Sequence, residues 1–540
     1  MKSDINKPAS LKTSTVICYI LPILIVLVTF YVRFRLLDVP LERDEGEYAY
    51  MGQLMLKGIP PFSAAYSMKL PGIYGAYALI IFLFGQTARA IHLGLLLVSL
   101  TNTILTFLLV RKIIDRWAGV VAAAVFSLFA VSQGFLGIFA HATHFVVLFY
   151  LLGFVLLFRT VESRKLTLAL LSGVMFGLSF TMKQHAAPII AFGFFWLLYS
   201  SIRSKAGLKH IITKALLFSA GVFIPYGIWC LYLAEKGVFE KFWFWTVTYA
   251  AEYATNQTIN EGKYWFMHQG AKIVETTWPI WLFAGAGLLS LLRPGEGRDR
   301  RLFLIGLLVS SCAAVIPGYY FRPHYFVMLL PVVSILVAVA VPFPFCSKET
   351  GFSPLRKIAA CAAIVAIGLT FFWERGYLFT YSPLKVSRVK YWDSPFPESM
   401  DVAEFLKANT SSADRIAVLG SEPQIYFYAD RISATPHIYM YGLMEEQPFA
   451  RKMQEEMIRD IEATRPKYIV NVTHVGSWSV HLRSEKMISA WGYIYLDRYY
   501  EPVGLFDIIY PRGNTIQVWG NDLLRYEPKG KSQIIIFRRK

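Results

Sequence analysis

Long apolar runs alternate with short polar segments over roughly the first 380 residues of the chain. A helix that crosses a bilayer needs ~20 mostly apolar residues, and runs of about this length recur throughout this region. The first run, residues 16–31, is followed by no small-residue cleavage site, so we expect a retained signal anchor. The pattern predicts about eleven transmembrane helices, near residues 15–35, 88–110, 118–139, 141–158, 166–181, 186–202, 212–234, 278–292, 302–318, 324–344 and 358–379.

The segment 71–84 is also apolar but is short for a transmembrane helix. If it crossed the membrane, every later segment would change sides, and Arg111, Lys112 and Arg116 would lie outside. We therefore expect a juxtamembrane or re-entrant segment, which is tolerated where protein covers the backbone polar groups.

The composition supports a membrane protein. Hydrophobic residues make up 55% of the chain and charged residues 17%, whereas a soluble protein carries about 25% charged residues. The net charge of +18 could suggest nucleic acid, but the basic residues lie mostly in short loops between apolar runs. Because membrane topology produces this distribution, we expect no nucleic-acid partner.

The basic loops also predict which side of the membrane each segment faces. They fall on one side of the predicted spans, and such an excess marks the cytoplasmic side, although Arg33 and Arg35 lie on the other side. We expect a multi-pass protein of the cell (inner or plasma) membrane, with a cytoplasmic amino terminus and an extracytoplasmic C-terminal region. The residues that give this orientation are Lys2, Lys7, Lys12, Arg111, Lys112, Arg116, Arg159, Arg164, Lys165, Arg203, Lys205, Lys209, Arg293, Arg298, Arg300, Arg301, Lys348, Arg356 and Lys357.

The region 381–540 is more polar than the apolar region 1–380, which we expect to form the transmembrane domain. Within 381–540, an amphipathic helix pattern alternates with patterns typical of buried strands, which predicts a small soluble α/β domain outside the membrane. These patterns lie at 401–408 for the helix and at 415–420, 467–472 and 533–537 for the strands.

Four carboxylates occur within six residues in the predicted first outer loop, 36–87. Such a group can bind a divalent cation through oxygen ligands, or hold one carboxylate as a general base. The alternative is an ordinary solvated loop. The group consists of Glu42, Asp44, Glu45 and Glu47, with Arg43 among them.

Cations and imidazoles occupy the same predicted side, at the outer ends of the spans. Each has a simple alternative explanation, since a lysine or arginine can extend to the interface and a lone histidine is often structural. Together they predict an anion site beside the acidic group, because ionisable residues near membrane depth usually face a cavity. They are Lys69, Arg89, His92, His141, His144, Lys183, His185, Arg322 and His324.

The order of these motifs resembles the GT-C superfamily of membrane glycosyltransferases. Arg43-Asp-Glu-Gly-Glu-Tyr-Ala-Tyr, Lys69-Leu-Pro-Gly-Ile-Tyr and Arg89 resemble the opening of bacterial relatives of protein O-mannosyltransferases and of the lipid A aminoarabinose transferase. Lys183 and Arg322-Pro-His-Tyr resemble later elements of these families. The resemblance implies a GT-C membrane domain with its catalytic centre in the first outer loop.

The resemblance also implies a reaction. A polyprenyl-phosphate sugar would be the donor, and a hydroxyl of a protein, lipid or glycan acceptor would attack with inversion of configuration. Asp44 would be the general base, and Glu45 would position the acceptor or bind a cation. Phosphate would be bound by Lys69 and Arg322, with Lys183, Arg89 and His324 as further candidates.

The sequence is compatible both with a metal-dependent site and with a site that needs no metal. Asp44, Glu47 and His144 are the candidate ligands of a divalent cation. Many relatives, however, carry a second carboxylate between the third and fourth spans, where this chain has His141 and His144. A histidine can replace a carboxylate as a ligand, or the lysines and arginines suffice without metal.

Two other classes of function fit a polytopic chain with intramembrane charges. A lipid or solute transporter would usually place its site near the midplane, whereas these residues gather at one face. A non-catalytic scaffold of the cell envelope would tolerate changes in all of them.

Overall fold

The computed structural model describes residues 13–163, 165–292, 297–341 and 354–540. The orienting residues Lys2, Lys7, Lys12, Arg164, Arg293 and Lys348, and the side chains of Arg356 and Lys357, lie outside this description. The apolar region is helical: α1 Thr13–Arg35, α2 Arg43–Leu56, α3 Pro71–Phe84, α4 Ala88–Ile113, α5 Arg116–Phe129, α6 Ala142–Ser163, α7 Leu166–Met182, α8 Ala187–Arg203, α9 Leu208–Glu235, α10 Phe239–Trp243, α11 Ala250–Thr255, α12 Ile259–Glu275, α13 Trp278–Ser290, α14 Arg298–Val315, α15 Leu330–Ala340 and α16 Pro354–Trp373. Shorter 3₁₀ or π helices lie at Gln133–Phe135, Gln184–Ala186, Phe244–Tyr249, Pro317–Tyr319, Pro323–Leu329 and Gly376–Thr380.

The predicted polytopic helical fold is confirmed, and a described helix overlaps each predicted span. Segment 71–84 is also a helix, α3, of 14 residues. The number of spans and their sidedness stay predictions. Five described segments are long and apolar enough to cross a membrane: Ala88–Ile113, Ala142–Ser163, Gln184–Arg203, Leu208–Glu235 and Pro323–Ala340.

The helix at the third predicted span is shorter than its apolar run. The run 118–139 predicts one helix, but α5 ends at Phe129. The chain then folds back so tightly that a Cβ on Gly137 would lie 2.1 Å from the carbonyl oxygen of Ala130. Leu136 adopts a left-handed conformation in the same turn. Apolar character continues past the helix because the returning turn is itself buried.

The acidic group lies on a helix, not in the loop that the sequence predicts. Glu42 is the N-cap of α2, and its side chain accepts from the backbone N–H of Glu45 at 2.9 Å. The Glu45 carboxylate accepts in return from the N–H of Glu42 at 3.1 Å. This reciprocal capping box fixes the start of the helix, and carboxylates in a first turn are favoured by the helix dipole.

The C-terminal region is an α/β domain, as predicted. Its elements are α17 Pro383–Tyr391, α18 Glu398–Asn409, β1 Arg415–Leu419, α19 Gln424–Ala429, β2 Ile432–Ser433, α20 Tyr441–Met444, α21 Ala450–Thr464, β3 Tyr468–Val472, α22 Val475–Trp478, α23 Met487–Tyr499, β4 Tyr500–Ile508, β5 Ile516–Trp519, a 3₁₀ helix Gly520–Leu524 and β6 Ser532–Arg539. The six strands form one mixed sheet in the order β2-β1-β3-β6-β4-β5, with β1 parallel to β2 and β3 and the other pairs antiparallel. The predicted helix and all three predicted strands are present, as α18, β1, β3 and β6.

The sheet domain packs directly on α2. Gly46 touches α19 so closely that a Cβ there would lie 2.7 Å from the backbone nitrogen of Gln424. Tyr50 accepts from the N–H of Ser433 at 2.8 Å, and its ring stacks on Tyr426 at 5.1 Å. The C-terminal domain therefore packs against the helix that carries the acidic group and helps to fix its position.

Candidate active site

Lys69 joins two of the carboxylates of α2. Its Nζ lies 2.7 Å from Asp44 Oδ1 and 2.6 Å from Glu47 Oε2. Tyr74 donates to the other oxygen of Glu47 at 2.9 Å. Asp44 keeps a quarter of its side chain exposed, whereas the Glu47 side chain is fully buried. Of these two carboxylates, Asp44 is thus the one that a ligand can reach.

Two carboxyl groups on this turn, Asp44 and Glu42, differ in their proton affinity. Burial alone would raise the pKa of Asp44, but the charge and hydrogen bond of Lys69, together with the charge of Lys183, outweigh it and hold the pKa well below its usual range. Burial and the nearby acids raise the pKa of Glu42. Environments that separate two carboxyl groups in this way are typical of sites where one carboxylate works ionised.

A pair of cations faces the same cavity as Asp44. Lys183 Nζ lies 4.0 Å from the centre of the Tyr325 ring, and burial, as the largest influence, lowers its pKa to about 7. The Arg322 guanidinium is exposed to the cavity and lies 5.6 Å from the Tyr320 ring centre. Among the residues that the structure describes, neither has a carboxylate oxygen within 4.0 Å. Two cations without a carboxylate partner in the described part of the chain could attract an anion to this cavity.

Two stacked histidines line the same cavity beside Asp44. The rings of His141 and His324 are 4.0 Å apart and nearly parallel. Within the described residues, both ring nitrogens of His141 are buried without a hydrogen-bond partner, and Nδ1 lies 3.8 Å from Asp44 Oδ2. Burial lowers the pKa of His141 to about 4, so its imidazole is neutral near pH 7.

These groups could hold a divalent cation. Asp44, His141 and His324 each offer a ligand atom, and the three atoms lie within 4.8 Å of one another. Two imidazoles and a carboxylate suit Zn²⁺ or a similar transition metal. The structure therefore retains Asp44 from the sequence-based ligand set but groups it with His141 and His324, and Glu47 and His144 are not in this group.

Glu45, Arg89 and His144 lie away from the cavity wall. Glu45 is buried, accepts from Ala140 N–H at 2.5 Å and contacts His92 Nε2 at 2.9 Å, so it holds the turn that carries His141. Arg89 pairs with exposed Asp38 at 3.0 Å. His144 is buried on α6, where its carbonyl accepts from Asn102.

The cavity has a volume of about 680 Å³ and is built from both regions of the chain. Asp44, Lys69, His141, Lys183, Arg322 and His324 line it together with Tyr66, Trp245, Tyr249 and Tyr253. The C-terminal domain adds His437, Tyr439 and Tyr441, and Tyr439 donates to the carbonyl of Arg43 at 3.0 Å. No motif in the sequence indicated that the C-terminal domain lines this cavity.

Comparison with known proteins identifies the architecture. A sequence model of the family described as dolichyl-phosphate-mannose-protein mannosyltransferase matches residues 71–229. The structure of ArnT from Cupriavidus metallidurans, solved with undecaprenyl phosphate, superposes with a TM-score of 0.62 over 98% of both chains, at 12% identity. The fold is that of the GT-C glycosyltransferases.

Two further GT-C structures share this architecture. The oligosaccharyltransferase of Archaeoglobus fulgidus matches with a TM-score of 0.50 at 14% identity, over 95% of this chain and 75% of its own. The arabinofuranosyltransferase AftD from Mycobacteria matches with a TM-score of 0.51 at 13% identity, over 96% of this chain and 40% of its own. No curated protein matches the sequence. The resemblance noted in the sequence is confirmed at the level of the fold, and the family model supports it over residues 71–229.

Proposed function

We propose that this protein transfers a sugar from a polyprenyl-phosphate donor to an acceptor hydroxyl at the extracytoplasmic face of the membrane, with inversion. The observation that carries the proposal is one cavity lined both by ionised Asp44 and by Lys183 and Arg322, two cations with no carboxylate oxygen within 4.0 Å among the described residues. The family match and the GT-C fold support it. ArnT was solved with undecaprenyl phosphate, which is a polyprenyl phosphate.

The cations would bind the donor phosphate and stabilise the charge that develops on it as the sugar leaves. Arg322 offers a two-pronged donor, and Lys183 a mobile point charge. Lys69 already contacts two carboxylates, so we assign it chiefly to holding Asp44 and Glu47 in place. Arg89, paired outside the cavity, has no part in this assignment.

Asp44 would accept the proton of the attacking hydroxyl. Its low pKa makes it a weak base toward a free alcohol, so the proton moves late, after the attacking oxygen has begun to bond to the anomeric carbon. The leaving group is already a phosphate and needs no proton. Glu45 would act indirectly, by fixing the start of α2 and the His141 turn.

A divalent cation fits the site, because His141 has two buried ring nitrogens without a partner in the described chain. Asp44, His141 and His324 would hold it. When bound, it would supply positive charge near the donor phosphate.

The test is to incubate the purified protein in lipid nanodiscs with a radiolabelled polyprenyl-phosphate sugar and candidate acceptors. Transfer of the labelled sugar to an acceptor, or its release as free sugar by transfer to water, supports the proposal. Movement of intact donor across a vesicle membrane, with no release of polyprenyl phosphate, would instead make the protein a flippase. A donor that is neither cleaved nor moved would favour the scaffold.

A further inference from the structure

A strip at the end of α17 forms a wall of the cavity that the donor assignment does not use. Lys390, Tyr391 and Trp392 all line the cavity, and they belong to the segment that leads into the C-terminal domain. The strip faces the same space as Asp44 but comes from a region of the chain far from α2. It is therefore placed to contact a second substrate.

The hydroxyl of Tyr391 lies near the acidic group and has no hydrogen-bond partner among the described residues. Its ring packs edge-on against Phe139 and Phe396, each at 5.0 Å. Its hydroxyl oxygen is buried and makes no hydrogen bond to a described residue, although it is close enough to Asp44 and Glu42 to interact with their charges. A buried polar group usually has a partner, so this hydroxyl points to a ligand that supplies one.

Trp392 lines the cavity and has a strained backbone. The residue is 62% exposed, and its backbone has φ 54° and ψ −122°, in the left-handed region that bulky residues avoid. Arg388 holds the turn: its Nη1 donates to the carbonyls of Trp392 at 3.3 Å and Ser394 at 2.9 Å, and its Nη2 pairs with Glu398. Strain that the surroundings maintain is characteristic of functional sites.

The surrounding polar groups suit a carbohydrate. Gln133, Gln269, Lys272 and Glu275 line the same cavity and offer both donors and acceptors for sugar hydroxyls. The aliphatic face of a sugar ring can stack on an indole. None of the cavity-lining residues lies in a described strand, so the cavity offers a peptide acceptor no strand edge with which to pair.

We propose that Tyr391 and Trp392 form an acceptor subsite for a glycan. Trp392 stacks on one sugar ring, and Tyr391 hydrogen-bonds to the sugar unit whose hydroxyl reaches Asp44. This inference rests on the proposed function, in which Asp44 receives the acceptor hydroxyl. It selects a glycan from the protein, lipid and glycan acceptors that the sequence leaves open.

The test is a binding measurement that needs no donor. Fluorescently labelled protein in nanodiscs is applied to an array of microbial oligosaccharides and polysaccharides, and the dissociation constants of the glycans it selects are then measured. We expect a subset of glycans to bind, about tenfold more weakly to Trp392→Ala and more weakly also to Tyr391→Phe. The matched control is Trp243→Ala, because Trp243 is 47% exposed and does not line the cavity.

Size-exclusion profiles and thermal unfolding of the variants exclude misfolding as the cause. Absence of binding to every glycan, or equal affinities of wild type and Trp392→Ala, would overturn the subsite. Transfer of sugar to a peptide or lipid by protein that binds no glycan would overturn the subsite and leave the glycosyltransferase standing. Trp392-dependent glycan binding without transfer from any polyprenyl-phosphate sugar would support the subsite and contradict the transferase.

Discussion

Arg43 on α2 and Glu422 in the C-terminal domain form an ion pair of 2.7 Å, in which the Glu422 side chain is fully buried. The same guanidinium donates to the carbonyl of Ser421 and to the hydroxyl of Tyr441, each at 2.5 Å. Because Asp44 is the next residue, the pair connects the position of the proposed base to the sheet domain. The C-terminal domain therefore contributes to the site.

Replacing Glu422 by Gln should destabilise the protein by roughly 3–5 kcal/mol, because it removes the charge that compensates Arg43 in a buried position. Thermal unfolding in nanodiscs measures the effect. Lys57→Gln is the matched control, since Lys57 joins the same helix to Asp430 through an exposed pair worth at most about 1 kcal/mol. Equal losses in the two variants would show that the Arg43 pair does not hold the domains together.

Replacing Gly46 by Ala should separate α2 from α19. Glycine to alanine inside a helix normally gains about 0.5–1 kcal/mol, but here the new Cβ would meet Gln424 at 2.7 Å, and such overpacking costs about 1–3 kcal/mol. Unfolding measurements should show a net loss for this variant. Gly227→Ala in α9 should show no loss of stability, because no atom lies within 4 Å of the Cβ that it adds. A gain in both variants would mean that the interface is looser than described.

Donor binding should weaken as the pH rises. Lys183 has a pKa of about 7, below its usual value, and only its protonated form attracts phosphate. A bound anion raises this pKa, so affinity for a polyprenyl-phosphate sugar should be high at pH 6 and fall about tenfold by pH 9, with a midpoint near or above 7. The phosphodiester of the donor keeps its single charge over this range.

Lys183→Arg provides the control for this pH profile, because arginine stays charged throughout. Its donor affinity should be nearly independent of pH between 6 and 9. The assignment of Lys183 would fail if the donor affinity of the wild type were also independent of pH, or if the affinities of both proteins fell equally between pH 6 and 9.

Divalent metal binding should depend on His141 and not on His144. Mass spectrometry of metal content after incubation with Zn²⁺ should find about one ion per chain in the wild type, lost in His141→Ala and His324→Ala. His144→Ala is the control, since this buried histidine is three residues away and outside the grouped ligand atoms. Retention of the ion by His141→Ala would remove the proposed site.

Local patterns predicted most of the fold. The strands β1, β3 and β6 were predictable because each is a buried apolar run, and the membrane helices because apolar runs of about 20 residues have few alternatives. The helix α2 was missed because its charged first turn resembles a loop. The spacing of Glu42 and Glu45 was the available signal, but glutamate is an unusual N-cap.

The site was less predictable because its geometry depends on long-range contacts. Histidines three residues apart, His141 and His144, are equivalent in a sequence, and only the stacking of His141 on His324 separates them. The approach of Tyr439 and Glu422 to α2 joins residues almost 400 positions apart. No periodicity or motif encodes such contacts.

The central claim is that ionised Asp44 takes the proton of the acceptor hydroxyl. Its most direct test is the rate of sugar transfer from a labelled polyprenyl-phosphate donor by wild type and Asp44→Asn in nanodiscs, with the unfolding temperature and donor affinity of each measured in parallel. The asparagine keeps the shape of the side chain but cannot accept the proton. We expect the rate to fall about 10²–10⁴-fold while the variant stays folded and binds donor. Transfer by folded Asp44→Asn at close to the wild-type rate would contradict the account.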